Sequence, residues 1–261
     1  GTNMLFPWYD ENTAYFTSDQ TGYPNIYSYN RKSGKTTRIT TNESSLSVDW
    51  IEVDGKKYLF GIENNPAQTK VSIIDPLNGV VIASENYQVT LGIKTTIDNK
   101  AYLGAGATDI PFQLWVMTFD GTNLTKEIVV DLPQEKKEKM IASTTERVTI
   151  PTFDIDPKTG ETRQLHAYIL TPENPLPEGK EIVMIQSFYG GGNYYDIEHQ
   201  IFNEAGMYVL SPSPRGTSGF GRDFAALNDR DLGGNEIIDI IYCAQYISDK
   251  RNSLKPGKIY R

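Results

Sequence analysis

The sequence predicts two fold classes in succession: all-β blades of a partial β-propeller over residues 1–140, then an α/β layout over residues 141–261. Three observations carry this reading. A strand-rich pattern repeats every 43–45 residues in the first half, a charged stretch interrupts it near residue 134, and buried-type strands alternate with helical periodicities after residue 180.

The repeat is visible in three aligned stretches: Tyr15-Phe16-Thr17 leading to Ile26-Tyr27-Ser28, Tyr58-Leu59-Phe60 leading to Ile73-Ile74-Asp75, and Tyr102-Leu103-Gly104 leading to Trp115-Val116-Met117. Asn30, Asp75 and Asp120 are spaced 45 apart, each followed by a glycine within four residues (Gly34, Gly79, Gly121). Val53-Asp54-Gly55-Lys56 recurs 44 residues later as Ile97-Asp98-Asn99-Lys100. Short β-branched and aromatic runs between such turns read as three or four antiparallel strands per unit. A unit of this length is the size of one propeller blade; the plainer alternative is a β-sandwich with evenly spaced hairpins. Three blades are fewer than the roughly 4–8 that close a ring, so residues 1–130 are expected to be the tail of a longer propeller.

Gln134-Glu135-Lys136-Lys137-Glu138-Lys139 reads as a linker or solvated turn. Val148–Phe153 and Leu165–Leu170 flank a Pro/Gly loop and predict a hairpin. Glu181–Gln186 and Met207–Leu210 are apolar runs suited to strands buried on both faces. Between them Asp196 can cap a helix carrying Ile197, Ile201, Phe202 and Ala205 on one face, ended by Gly206. A second helix starts near Asn235, with Ile237, Ile240, Ile241 and Ala244 at helical spacing, and Lys258–Arg261 opens a third parallel strand.

Composition bounds the function. With 25 Lys+Arg against 33 Asp+Glu the chain carries −8 charges, which argues against a nucleic-acid binder. No apolar run reaches the ~18 residues of a membrane helix. Cys243 is the single cysteine, so no internal disulfide or thiolate cage can form; this favours the cytoplasm over a periplasmic or secreted setting without deciding between them. No cofactor or metal is implied. His166 and His199 are the two histidines, each read as structural. The acids Asp223, Asp229, Asp231, Glu236 and Asp239 fit no EF-hand spacing and read as helix-start charges.

Four features, in order, resemble the prolyl oligopeptidase family of serine peptidases: upstream blade-like repeats, the hairpin at 148–170, Phe188-Tyr189-Gly190-Gly191-Gly192 after a buried strand, and Arg215-Gly216-Thr217-Ser218-Gly219-Phe220-Gly221 after the next. Asp231-Leu232-Gly233-Gly234-Asn235-Glu236 looks like the family's continuation. The resemblance implies a propeller joined to an α/β-hydrolase domain, here incomplete, and hydrolysis of short peptides through an acyl-enzyme. It also implies that Tyr189 donates its hydroxyl in the oxyanion hole, and that Arg215 fixes its loop. The tyrosine tilts the comparison toward the dipeptidyl-peptidase or oligopeptidase branches.

The family's nucleophile sits in G-x-S-x-G. Ser218 has Gly216 two before it but Phe220 two after, and Ser187 has Ile185 and Tyr189 in those places. The expectation is therefore that the serine, aspartate and histidine of the triad are not present in this chain. The partner expected is a peptide substrate, with homo-oligomerisation compatible. The competing class is a non-catalytic binding or scaffold protein on the same two folds.

Overall fold

The turn markers of the repeat become equivalent hairpins. In the computed structural model, which describes residues 9–65, 68–140, 143–186, 192–250 and the backbone of 259–260, β1 (Thr13–Ser18), β2 (Asn25–Asn30) and β3 (Thr36–Arg38) form one antiparallel sheet. A second contains β4 (Ser45–Val53), β5 (Lys56–Asn64), β6 (Thr69–Ile74) and β7 (Val81–Tyr87). The third contains β8 (Thr90–Ile97), β9 (Lys100–Ala107), β10 (Ile110–Phe119) and β11 (Leu124–Val130). In each sheet the strands lie side by side in chain order, as in propeller blades.

Val53 pairs with Lys56 across Asp54 and Gly55, whose φ angles of 50° and 75° match the two-residue turn that suits strand twist. Asp98 repeats the geometry with φ 52°. The other marker set closes the turns after β2 and β6, where Gly34 and Gly79 each donate an amide to Asn30 and Asp75 respectively. Gly79 has φ +76°, and any Cβ there would strike the Ile39 carbonyl. Tyr15, Ile26, Val48, Leu59 and Ile74 make the local core. Tyr15 meets Trp50 edge-on at 5.2 Å and donates to the Pro76 carbonyl at 2.8 Å.

The chain forms two compact units, the first comprising residues 1–105, 112–131 and 218–223, the second residues 106–111, 132–217 and 224–261. In the second unit, α1 (Gln134–Met140) is a short exposed helix where the sequence suggested a linker or turn. Its Glu and Lys residues have high helix propensity, and none of them is buried.

The hairpin β12 (Ser143–Ile155) and β13 (Thr162–Pro172) pairs Val148 with Ala167 and Ile150 with Leu165. β14 (Val183–Ile185), β15 (Tyr208–Ser213) and β16 (Ile259–Tyr260) complete a five-stranded sheet of order β12-β13-β15-β14-β16. β14 runs parallel to both β15 and β16, and β13 antiparallel to β15.

Helices α2 (Ile197–Glu204) and α4 (Asn235–Lys250) connect the parallel strands, with the one-turn helix α3 (Arg222–Ala225) ahead of α4. On one face Ile150, Leu165, Ile169, Val183, Ile185 and Leu210 pack with Ile240, Cys243 and Ile247 of α4. On the other, Tyr168, Leu170 and Val209 pack with Phe202 of α2.

Asp196 caps α2 as expected, its Oδ1 accepting from the Glu198 amide at 2.8 Å. Of the expected apolar face only Phe202 turns inward: Ile197 and Ile201 are 53% and 55% exposed, Ala205 is exposed too, and His199, Gln200 and Asn203 are buried instead. The buried amides have partners, since Gln200 donates to the Thr108 carbonyl and Asn203 to the carbonyls of Leu170 and Met207. Partners for these NH2 groups let the amides occupy a core face, although Asn203 Oδ1 finds no partner among the described residues.

Candidate active site at the carboxyl ends of the parallel strands

From β14 the chain passes through α2 to β15 on one side, then through α4 to β16 on the other. Such a reversal opens a crevice beyond the carboxyl ends of the strands, where open α/β sheets bind ligands. Two glycine-bearing segments begin at this rim. Gln186 follows β14 and leads to the glycine run; Pro214-Arg215-Gly216 follows β15.

The β15 side is braced by a buried charge network. Arg215, 3% exposed, meets Asp239, 0% exposed, with Nε to Oδ2 and Nη2 to Oδ1 both at 2.9 Å. The Arg215 amide also donates to Asp239 Oδ2 at 2.9 Å, and the Thr152 hydroxyl to Oδ1 at 2.5 Å. Nη2 of Arg215 reaches Asp154 at 2.8 Å, which Arg163 holds from the other side at 3.1 Å. Two-pronged pairing of this kind fixes a guanidinium in direction as well as position.

Burial alone would raise the Asp154 pKa, but Arg215 and Arg163 outweigh it and hold the carboxyl below its usual range. Burial likewise disfavours the Arg215 charge, and the two aspartates more than restore it. The network ties the loop after β15 to the hairpin and to α4, so Arg215 fixes its loop as the resemblance implied. Asp239 is then the counter-ion of that arginine rather than a helix-start charge. Asp231 and Glu236 do act at the start of α4, accepting from the Asn235 and Gly233 amides.

The β14 side carries the glycine run. Tyr189, the oxyanion candidate, lies outside the described residues, as do Ser187 and Phe188. The described residues after it are firmly held. Asn193 Oδ1 accepts from the Thr108 amide at 3.1 Å, the Tyr194 hydroxyl donates to Gln186 Oε1 at 3.4 Å, and the Tyr195 hydroxyl donates to the Met140 carbonyl at 2.8 Å. Burial, with Asp196 nearby, raises the pKa of both tyrosines, so both stay protonated donors.

His166 lies in β13 and His199 in α2, where its Nε2 is 3.9 Å from Asp196. Burial lowers the pKa of each. Cys243 is wholly buried in the apolar core, and its thiol is pushed up to about 12. Among the described residues no group of three or more His, Cys, Asp or Glu is placed to hold a metal. Nor is any described helix long and apolar enough to cross a membrane. The pairing inside the Arg215 network and the anchors after the glycine run escaped the sequence reading. Asn193, Tyr194 and Tyr195 stand in the sequence as ordinary loop residues, with nothing to reveal their distant partners.

Comparisons with known proteins bear on this same part of the chain. The model described as the prolyl oligopeptidase family matches residues 193–260, so this segment of the chain is similar to that family. Dipeptidyl-peptidase 5 of Aspergillus fumigatus is 28% identical over 97 residues, covering 34% of this chain and 13% of the relative. Two solved structures share the fold over 98% of the chain: a puromycin hydrolase (14% identity, TM-score 0.76) and a puromycin-hydrolyzing peptidase of Mycobacterium tuberculosis (18%, 0.73). The chain spans 40% of the length of each of these two proteins.

Proposed function

We propose that this chain is part of a serine peptidase that cleaves short peptides through an acyl-enzyme, on an α/β-hydrolase domain joined to propeller blades. The observation that carries the reading is positional. In the sequence the run Tyr189-Gly190-Gly191-Gly192 follows β14, the strand at which the sheet order reverses, and the family match begins at the next residue, 193. The nucleophile is assigned to sequence outside these 261 residues, because no serine here has the G-x-S-x-G surroundings.

In this reading the serine attacks the peptide carbonyl, a histidine takes its proton, and an aspartate orients the histidine. The carbonyl oxygen becomes an oxyanion, and Tyr189 donates its hydroxyl to it. One such donor is worth ~2.7–4 kcal/mol of transition-state stabilisation. The matched relative favours a dipeptidyl-peptidase-like reaction over an oligopeptidase-like one.

The experiment is kinetic. In the enzyme that contains this chain, Tyr189→Phe should lower kcat by roughly 10²–10³ with the fold intact. Unchanged turnover would remove Tyr189 from the oxyanion hole. Labelling by a serine-directed fluorophosphonate is expected of that enzyme and not of residues 1–261 alone; stoichiometric labelling of the shorter chain would misplace the nucleophile.

A further inference from the structure

A helix that carries apolar residues on every side is normally covered on every side. Helix α4 comes close to this. Its inner face packs Ile240, Cys243 and Ile247 into the sheet. Its outer face carries Ile238 and Ile241, 37% and 42% exposed, with Tyr242 half-buried beside them. On β12, the edge strand of the sheet, the exposed Phe153 meets the Tyr242 ring at 6.0 Å. The apolar stripe of α4 therefore continues onto the sheet edge, and exposed apolar surface of this extent marks an interaction site.

The two ends of the face are charged, with opposite signs. Arg230 precedes α4, and Asp249 lies in its last turn about three turns beyond Ile238, on the same outward stripe. Both are exposed, and neither side chain has an ion pair or hydrogen bond among the described residues. The neighbouring Lys250, in contrast, is already paired with Glu146 at 2.5 Å.

Identical chains associate most often about a two-fold axis, which makes every contact occur twice. An axis midway between Ile238 and Ile241 runs two copies of α4 antiparallel and sets Ile238 of one copy on Ile241 of the other. In sequence that midpoint is also halfway between Arg230 and Asp249. The arrangement that buries the isoleucines thus brings the unpaired cation of each copy to the unpaired anion of the other. An apolar centre with a charged rim is the anatomy of a protein interface. A helix of 16 residues, about 24 Å long, has the reach of one that buries about 800 Å² per chain.

We propose that the outer face of α4, with Phe153 beside it, docks a second copy of this chain in a two-fold dimer, Ile238 against Ile241 and Arg230 against Asp249. The inference does not depend on the peptidase reading.

The test is the mass of the enzyme that contains this chain, measured by light scattering on a sizing column at micromolar concentration, with dissociation constants from analytical ultracentrifugation. The wild type should have twice the subunit mass. Ile241→Arg places a charge at the apolar centre and should give the subunit mass at the same concentration. Arg230→Asp or Asp249→Arg sets like charges together twice across the axis and should weaken association about tenfold or more. Both swaps in one chain reverse the two partners together and should restore the dissociation constant to within threefold of wild type.

A wild-type enzyme of subunit mass overturns the proposal, and is the result expected if another part of the same protein covers α4. A dimer that Ile241→Arg leaves intact overturns it too, because that dimer is built on another face. Undiminished association in either single swap, or a double swap that fails to restore association, likewise overturns it. Both swapped sites are exposed, so if Ile241→Arg folds poorly the swaps decide alone: weakening in each that the double swap reverses supports the proposal.

Discussion

The first unit stabilises its sheets by pairing neighbours in sequence, whereas the second joins distant segments and buries charge to do so. β4 through β7 form one sheet in strict chain order, and the ion pairs of that sheet are partly open to water: Lys56 with Asp75 at 3.3 Å, its side chain half exposed, and Lys70 with Glu63 at 3.7 Å. In the second unit β14 sits between β15 and β16, strands that follow it by more than 20 and 70 residues, and Arg215 and Asp239 pair 24 residues apart with almost no solvent contact. The lesson is that local pairing needs no unusual chemistry, while a rim built from remote segments is fixed by buried polar contacts that tolerate little change.

The largest effect that could break this contrast is expected at Asp239. Asp239→Ala leaves Arg215 buried beside a single partly exposed partner, and breaking a buried pair from one side costs about 3–5 kcal/mol. Trp50 and Trp115 lie in the first unit, and α1, α2 and α4 in the second. Chemical denaturation followed by helical circular dichroism should therefore show the loss, with tryptophan fluorescence unmoved. Coincident shifts in both signals would abolish the distinction between the units.

The converse variant is Leu59→Ala in the first core, where Leu59 is 0% exposed. A cavity of that size costs about 2–5 kcal/mol, and here the fluorescence transition is the one that should move.

A pH change sharpens the comparison without mutation, because the two histidines both belong to the second unit. Burial lowers the pKa of His166, helped by Arg147, and that of His199 against the pull of Asp196 and Glu198. Each folded pKa is below the unfolded value of 6.5, so in this range the unfolded chain binds more protons and stability rises with pH. The histidine contribution is complete above pH 6.5 and is lost as pH falls through the folded values. Between pH 7.5 and 5.5 the circular dichroism midpoint should fall and the fluorescence midpoint hold. Asp154, whose folded pKa lies below 3.8, adds a further loss only in stronger acid. His166→Gln with His199→Gln should remove the pH 7.5–5.5 difference; its persistence would point to another titrating group.

The smallest effect is expected at Lys56. Its ammonium pairs with Asp75 at a site open to water, where the gain in attraction is offset by solvation and side-chain entropy. Lys56→Ala should leave the fluorescence transition within measurement scatter, and a clear shift would contradict the view that surface charge contributes little to the first unit.

The sequence by itself determined the repeat and its turns. Asp54-Gly55 and Asp98-Asn99 announce two-residue hairpins, and the glycines at 34 and 79 close the turns after Asn30 and Asp75, because positive φ restricts which residues can stand there. It also determined the hairpin at 148–170, the Asp196 cap and the start of a third parallel strand near Ile259, all local patterns. The tertiary structure alone decided which face of α2 turns inward. Ile197 and Ile201 suggest one face, but Gln200 and Asn203 find carbonyl partners on remote segments and take the buried side. It alone matched Arg215 with Asp239, and Asn193 with Thr108 across 85 residues. Periodicity and turn chemistry depend on adjacent residues and can be read along the chain; a hydrogen bond between distant side chain and backbone exists only once the fold has brought them together.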